Sequence, residues 1–236
     1  MPTNYFQCKQ FLILQDKCAM KVSEDACVFA AYLKIKSQTV SLLDVGFGTG
    51  LLSLMLAQRY SEIDISAIEI DENSFKEGLE NIKKSKFSER IKCFHQNYFQ
   101  LDDKKKFDAI VCNPPFYENY LVRKNEYENI ARHTTEFTLQ QLLEKAKTLL
   151  STQGELFLLL PSKREEELKK IALQTNFFIP LLTFIHYTIH HTTKRMIVKL
   201  SLQKELTVKE KIILKKENHS YSSQTIEILK DFYLKL

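Results

Sequence analysis

The chain has 236 residues, 44% hydrophobic and 27% charged, with 34 Lys+Arg against 29 Asp+Glu and a formal net charge of +5. These proportions exclude global disorder, and no apolar run approaches the roughly 18 residues of a membrane span; the longest candidate, Phe177 to Ile185, is broken by Pro180. Lys9, Gln10, Gln15 and Asp16 interrupt any signal-peptide core, and five cysteines without a Cys-x-x-Cys pair argue against a disulfide framework or zinc cluster and for buried thiols in a reducing cytoplasm.

In chain order, residues 40–45 read as a buried strand that enters a glycine turn and then an apolar helix, Leu51 to Arg59. Ile63 to Ile70 is a second strand, and Asp71 N-caps a helix with Phe75, Leu79 and Ile82 at helical spacing. Ile91 to His95 and Phe107 to Cys112 are the third and fourth strands, the latter stopped by Pro114–Pro115. Thr138 to Gln141 has the form of a capping box, opening a helix that Gly154 is expected to end. Glu155 to Leu160 is a fifth strand, 162–175 a charged helix, and 180–189 with 194–202 a closing antiparallel hairpin. A strand over Lys211 to Leu214 and a helix from Ser222 or Ser223 end the chain. Strands alternating with helices imply an α/β fold with a mostly parallel sheet covered on both faces and a ligand site outside the carboxyl ends of its strands.

Two rare residue types cluster at such ends. Of only five glycines, Gly46, Gly48 and Gly50 fall within five residues, and two of five prolines are Pro114 and Pro115. Three glycines between strand and helix permit a tight turn, close approach of a ligand to the backbone, and access to free N–H groups at the helix start. A nicotinamide-type G-x-G-x-x-G is excluded because position 51 is Leu. The run Asp44-x-Gly46-x-Gly48-x-Gly50 instead resembles the first motif of class I S-adenosylmethionine-dependent methyltransferases. That resemblance implies a Rossmann-like fold with a seven-stranded sheet, glycines beneath the cofactor, and Asp44 orienting its methionine part. It also implies that Glu69, nineteen residues after Gly50, binds the ribose hydroxyls, and that Asn97 stands where the family often has an adenine-contacting Asp.

The tetrapeptide Asn113-Pro114-Pro115-Phe116 is similar to the Asn-Pro-Pro-Tyr/Phe motif of methyltransferases acting on planar amide-like or aromatic nitrogens. An exocyclic amine is a poor nucleophile because its lone pair is delocalised. The Asn113 side-chain oxygen and the Pro114 carbonyl can hold its two hydrogens, so that the lone pair points at the methyl. The prolines stiffen the loop, and Phe116 offers a stacking face. Three amines share this loop: adenine N6, guanine N2, and the glutamine amide of release factors. A binding module that keeps the cofactor fold without activity is a fourth reading, one with no need of the loop.

Lys9-Gln10-Phe11, the stretch Asp16 to Asp25, Leu54 to Arg59, Ala131-Arg132-His133 and Asp231 to Leu234 resemble the bacterial tRNA(Val) adenine N6-methyltransferase family over essentially the whole chain. Departures are Ser23-Glu24-Asp25, where that family has Gly-Thr-Asp, and Asn97. The resemblance implies that Lys21 to Asp25 packs beside the cofactor pocket and that Arg132 and His133 lie near the RNA, although this pair also fits a simple helix end. It further implies a single methyltransferase domain over 1–236, comprising an N-terminal extension 1–39, a core 40–203 and a C-terminal extension 204–236. The expected protein is a cytoplasmic monomer acting on tRNA without metal. His186, His190 and His191 read as hairpin histidines rather than ligands. Basic clusters at 83–92 and 204–216 fit either RNA contact or a solvated face.

Overall fold

The computed structural model describes residues 4–114 and 138–236. Its strands are β1 (Tyr5–Gln7), β2 (Leu12–Leu14), β3 (Ser41–Val45), β4 (Asp64–Glu69), β5 (Ile91–His95), β6 (Phe107–Cys112), β7 (Leu150–Pro161), β8 (Phe178–His186), β9 (Arg195–Ser201) and β10 (Val208–Ile213). The described helices are α1 (Glu24–Tyr32), α2 (Leu51–Arg59), α3 (Glu72–Lys83), α4 (Leu139–Leu149), α5 (Glu165–Thr175) and α6 (Ser223–Leu229). β1 and β2 form a separate antiparallel pair, and the others make one sheet in the order β10-β8-β9-β7-β6-β3-β4-β5. Within that sheet only β9 runs against its neighbours.

Among the described residues the sheet thus has eight strands where seven are expected. β10 pairs in parallel with β8 at the sheet edge, Val208 opposite Leu181 through Ile213 opposite His186. It begins three residues before the tail strand expected over Lys211 to Leu214, because its first four residues are exposed and only Ile212 is buried. A charged, lysine-bearing edge blocks further pairing and leaves no alternating pattern in the sequence.

Local caps explain most boundaries. Asp71 accepts from the Ser74 N–H at 2.8 Å, Thr138 and Gln141 complete the capping box of α4, and the Ser222 hydroxyl caps α6. Gly154 does not end a helix. α4 stops at Leu149, and Gly154 lies inside β7, where an added Cβ would sit 3.0 Å from the Phe107 carbonyl oxygen of the neighbouring strand. A close backbone approach at an irregular register is what this glycine allows.

Alternate strand residues feed two cores. Leu42, Ile65, Ala67, Ala109 and Val111 face one packed with α1, α2 and Ile82 of α3, while Leu43, Val45, Ile68, Ile110 and Leu158 face one packed with α4 and α5. The chain ends meet on the first side, where the Lys9 N–H donates to the Phe232 carbonyl at 2.8 Å.

Candidate active site

The sheet register assembles the site. Val45, last in β3, lies opposite Ile68 of β4 on one side and Cys112 of β6 on the other. The next residues, Gly46, Glu69 and Asn113, therefore emerge side by side at the carboxyl edge, about 4.8 Å apart in the strand-to-strand direction. Glu69 is itself opposite His95, the last residue of β5.

The turn needs its glycines. Gly46, Gly48 and Gly50 all have positive φ, +69°, +52° and +83°, which side chains other than glycine adopt at a cost. The N–H groups of Gly46 and Phe47 both bond the Ile68 carbonyl, and Gly50 starts α2 without a side-chain cap, so the first N–H groups of that helix have no side-chain partner there.

Asp44 lies wholly buried behind the turn. Its Oδ2 accepts from the Ser53 hydroxyl at 2.6 Å, and its Oδ1 is a buried oxygen with no hydrogen-bond partner among the described residues. Burial pushes its carboxyl up to about 7, against the opposing pull of the Ser53 hydroxyl and backbone N–H. Glu69 Oε2 accepts from the Gly48 N–H at 3.0 Å, and its Oε1 accepts from the N–H groups of Ile70 at 2.8 Å and Asp71 at 2.9 Å. Burial raises its carboxyl too, with the Asp71, Gly48 and Ile70 N–H groups pulling the other way. Beside it, the Phe75 ring stacks on His95 at 5.1 Å and meets Phe47 edge-on at 6.0 Å. Asn97 follows β5; its Oδ1 accepts from the Phe99 N–H at 2.9 Å, which among the described residues leaves its amide NH₂ as the open group.

Sequence reasoning missed a second layer. The buried stripe of α3 is Ser74, Glu77, Gly78, Asn81 and Ile82, largely polar, because residues 14–19 run along it. Glu77 Oε1 accepts from Asp16 N–H at 2.7 Å and Oε2 from Cys18 N–H at 2.8 Å, with Lys17 N–H shared between both oxygens. Asn81 exchanges two hydrogen bonds with the Leu14 backbone and donates to the Thr49 carbonyl inside the glycine turn at 3.0 Å. Gly78 lets the helix touch that turn, since a Cβ there would lie 2.1 Å from the Gly48 carbonyl oxygen. A glycine inside a helix, costing ~1 kcal/mol relative to alanine, was the available signal.

Of the other expected site residues, Asn113 is half-buried and Pro114 buried, while Pro115, Phe116, Arg132 and His133 lie outside the described residues. Lys21 is exposed. Asp25, in the first turn of α1, lies 3.9 Å from Arg195, and burial raises its carboxyl against the lowering effect of that guanidinium. Among the described residues, no three His, Cys, Asp or Glu side chains converge as metal ligands, and no helix is long and apolar enough to cross a membrane.

With this geometry in hand, comparison with known proteins is specific. Residues 18–177 match the methyltransferase small domain family. Proteins named tRNA1(Val) (adenine(37)-N6)-methyltransferase are similar over full length: 35% identical in Christiangramia forsetii and 36% in Trichodesmium erythraeum, each covering 100% of both chains. The counterpart from Actinobacillus pleuropneumoniae is 34% identical over 98% of both. Among solved structures, the glycopeptide N-methyltransferase MtfA complexed with S-adenosylmethionine aligns at TM-score 0.57 and 10% identity, over 79% of this chain and 97% of that one. The ribosomal protein L11 methylase of Lactobacillus delbrueckii subsp. bulgaricus aligns at 0.56 and 16%, over 80% and 84%. At these identities the structural likeness concerns the fold alone. The residues at the carboxyl edge fit the cofactor of such enzymes: among the described residues, Asp44 Oδ1 is a buried acceptor without a donor, and none lies within 4 Å of where a Cβ of Gly46 would be.

Proposed function

Because this chain belongs to the methyltransferase small domain family and, within it, to the tRNA1(Val) (adenine(37)-N6)-methyltransferases, we propose that it methylates N6 of the adenine beside the anticodon of a tRNA. The observation that carries the reading is the register at the carboxyl edge, which sets Asn113 next to the glycine turn and Glu69 on its far side. A group that grips an amine thereby adjoins groups suited to a nucleoside cofactor.

S-adenosylmethionine supplies an electrophilic methyl carried on a sulfonium. Gly46, Gly48 and Gly50 admit it against the backbone. Asp44 Oδ1, which has no donor among the described residues, accepts from the amino group of its methionine part, and Glu69 accepts from the ribose. Asn97 offers its NH₂ to the adenine ring, with Lys21 and Asp25 at the rim. On the substrate side, Asn113 Oδ1 and the Pro114 carbonyl accept the two hydrogens of the exocyclic amine, aiming its lone pair at the methyl. Pro115 keeps the loop stiff, and Phe116 stacks on the flipped base. No strong general base is needed, since the amine proton becomes acidic as the nitrogen gains positive character and leaves to solvent. Arg132 and His133 contact the RNA near the target. The protein acts as a cytoplasmic monomer.

The test is incubation of the purified protein with unmodified tRNA and methyl-labelled cofactor, followed by nucleoside digestion. Label is expected in N6-methyladenosine; label confined to guanine, or to a release factor offered in competition, contradicts the reading.

A further inference from the structure

Strand direction decides which basic surface shares an edge with Asn113. β6, β7, β8 and β10 all run the same way, so the segments following His186 and Ile213 emerge on the edge that carries Asn113. At sheet spacing, β8 and β10 stand about 14 Å and about 19 Å from β6. The two segments are joined: Leu214 and Lys215 donate their N–H groups to the His186 and Tyr187 carbonyls, both at 2.8 Å, and His190 Nε2 meets Glu217 Oε1 at 3.1 Å.

Together they make a basic and aromatic ridge. Lys215 Nζ lies 5.1 Å from the ring centres of both Tyr187 and Tyr221. Tyr187 is 40% exposed and Ile189 56%. Beside them lies a pocket of about 390 Å³ whose lining includes Ile189, Ile213, Lys215, Lys216, Glu217 and Gln224. Lys194 and Lys216 are exposed, and among the described residues neither they nor Lys215 is in an ion pair. Of the nearby carboxylates, Glu217 meets His190 and Asp25 lies 3.9 Å from Arg195, with the Lys194 charge also acting on Asp25. Three histidines are spent on the ridge's own frame, His186 on Thr193, His191 on Thr188 and His190 on Glu217.

The other basic cluster faces away. α3 leaves the carboxyl edge after β4, so Lys83, Lys84, Lys86 and Arg90 fall at the opposite edge, where β5 begins. Arg90 donates to the Ala57, Tyr60 and Ile63 carbonyls, and Lys84 pairs with Glu80.

We propose that the ridge formed by residues 187–194 and 214–221 docks the single-stranded loop of the RNA substrate, with Lys194 and Lys216 on phosphates and Tyr187 beside the Ile189 pocket receiving an unstacked base. Basic groups interleaved with aromatic faces suit single strands, where phosphate contact gives salt-dependent affinity and stacking tolerates any base. This rests on the reading of the substrate as tRNA. The test compares wild type, Lys194→Glu/Lys216→Glu, Tyr187→Ala and Lys83→Glu/Lys86→Glu in methylation of a tRNA transcript across salt concentrations. The ridge double variant is expected to raise KM for tRNA at least tenfold and flatten the log–log salt slope by about one to two, with cofactor affinity by calorimetry as in wild type. Tyr187→Ala raises KM without changing the slope, and the α3 variant leaves both unchanged. Unaltered KM in the ridge variants, or the loss appearing in the α3 variant, overturns the docking surface and leaves the ridge to a protein partner. Failure of the wild type to methylate any tRNA adenine overturns the substrate reading itself, and the docking proposal with it.

Discussion

Glu69 Oε2 accepts the backbone N–H of Gly48 at 3.0 Å, so the carboxylate ending one strand is bonded to the middle glycine of the turn that ends its neighbour. With Oε1 taken by two further N–H groups, three of roughly four acceptor positions are filled. One ribose hydroxyl can be accepted directly, and a second has to compete with Gly48. The residue thus shapes the turn as well as offering an acceptor at the proposed cofactor site, which makes the turn's packing a quantity to test.

Gly78→Ala would force a Cβ to 2.1 Å from the Gly48 carbonyl oxygen, so α3 must move off the turn. Stability is expected to fall by ~1–3 kcal/mol, the usual cost of overpacking, with cofactor affinity down more than tenfold. At Gly48 the nearest atom of the described residues to an added Cβ is 3.9 Å away, and the cost there is the φ of +52°, roughly 1–2 kcal/mol; Gly48→Val adds a branched side chain on the proposed path of the cofactor and should abolish binding while the fold survives. Thermal melts and calorimetry on the variants separate the two effects.

Asp44 predicts a pH dependence. Its carboxyl is raised from the ordinary 3.8 to about 7 by burial. Because the folded value is the higher one, the contribution to stability is fully present below pH 3.8 and is lost as pH rises through about 7. The ligand-free protein should therefore lose stability across this window, and Asp44→Asn should flatten the loss. An amino group accepted by Asp44 favours the ionised form, so cofactor affinity should rise by about tenfold per pH unit up to that value and then level off. Calorimetric titrations from pH 5.5 to 8.5 check the sign, and a pH-independent affinity contradicts the assigned contact.

Glu77→Gln replaces one acceptor oxygen by an NH₂ facing backbone donors at 16–18. Residues 14–19 should release from α3, seen as faster proteolytic cleavage there. Cofactor affinity should weaken, because Asn81 ties the same segment to Thr49 of the turn.

What was legible in the sequence follows from range. Asp71, Thr138 and Ser222 announce their helices through bonds three residues long, and β3, β5 and β6 through unbroken or alternating apolar runs. Asp44, Gly46, Gly48, Gly50, Glu69 and Asn113 could be picked out because turn chemistry and strand ends are local. Glu77 and Asn81 could not, since their partners lie about sixty residues away and two buried polar groups look like an exposed helix face. The β1–β2 pair and α1 escaped for the same reason, and of β10 only the half from Lys211 onward was legible, because its first residues are charged and exposed. Gly154 was misread because a glycine after a helix signals its end, whereas here the approach of β6 demands it.

Asn113 is assigned to the transition state, orienting the amine. Asn113→Ala should lower turnover by about 10²–10³, the cost of one well-placed polar contact, with tRNA affinity nearly unchanged. Phe116→Ala removes a stacking face worth roughly 1–3 kcal/mol per base and should impair both substrate capture and rate. Single-turnover kinetics over a tRNA titration distinguishes them; wild-type transfer by Asn113→Ala makes the loop structural.

The most direct measurement is mass spectrometry of modified nucleosides in tRNA(Val) from a deletion strain, complemented by wild type or by Asn113→Ala. N6-methyladenosine beside the anticodon is expected to disappear on deletion, to return with wild type and not to return with the variant. Unchanged N6-methyladenosine in the deletion strain, or a missing methylguanosine in its place, would contradict the proposed function.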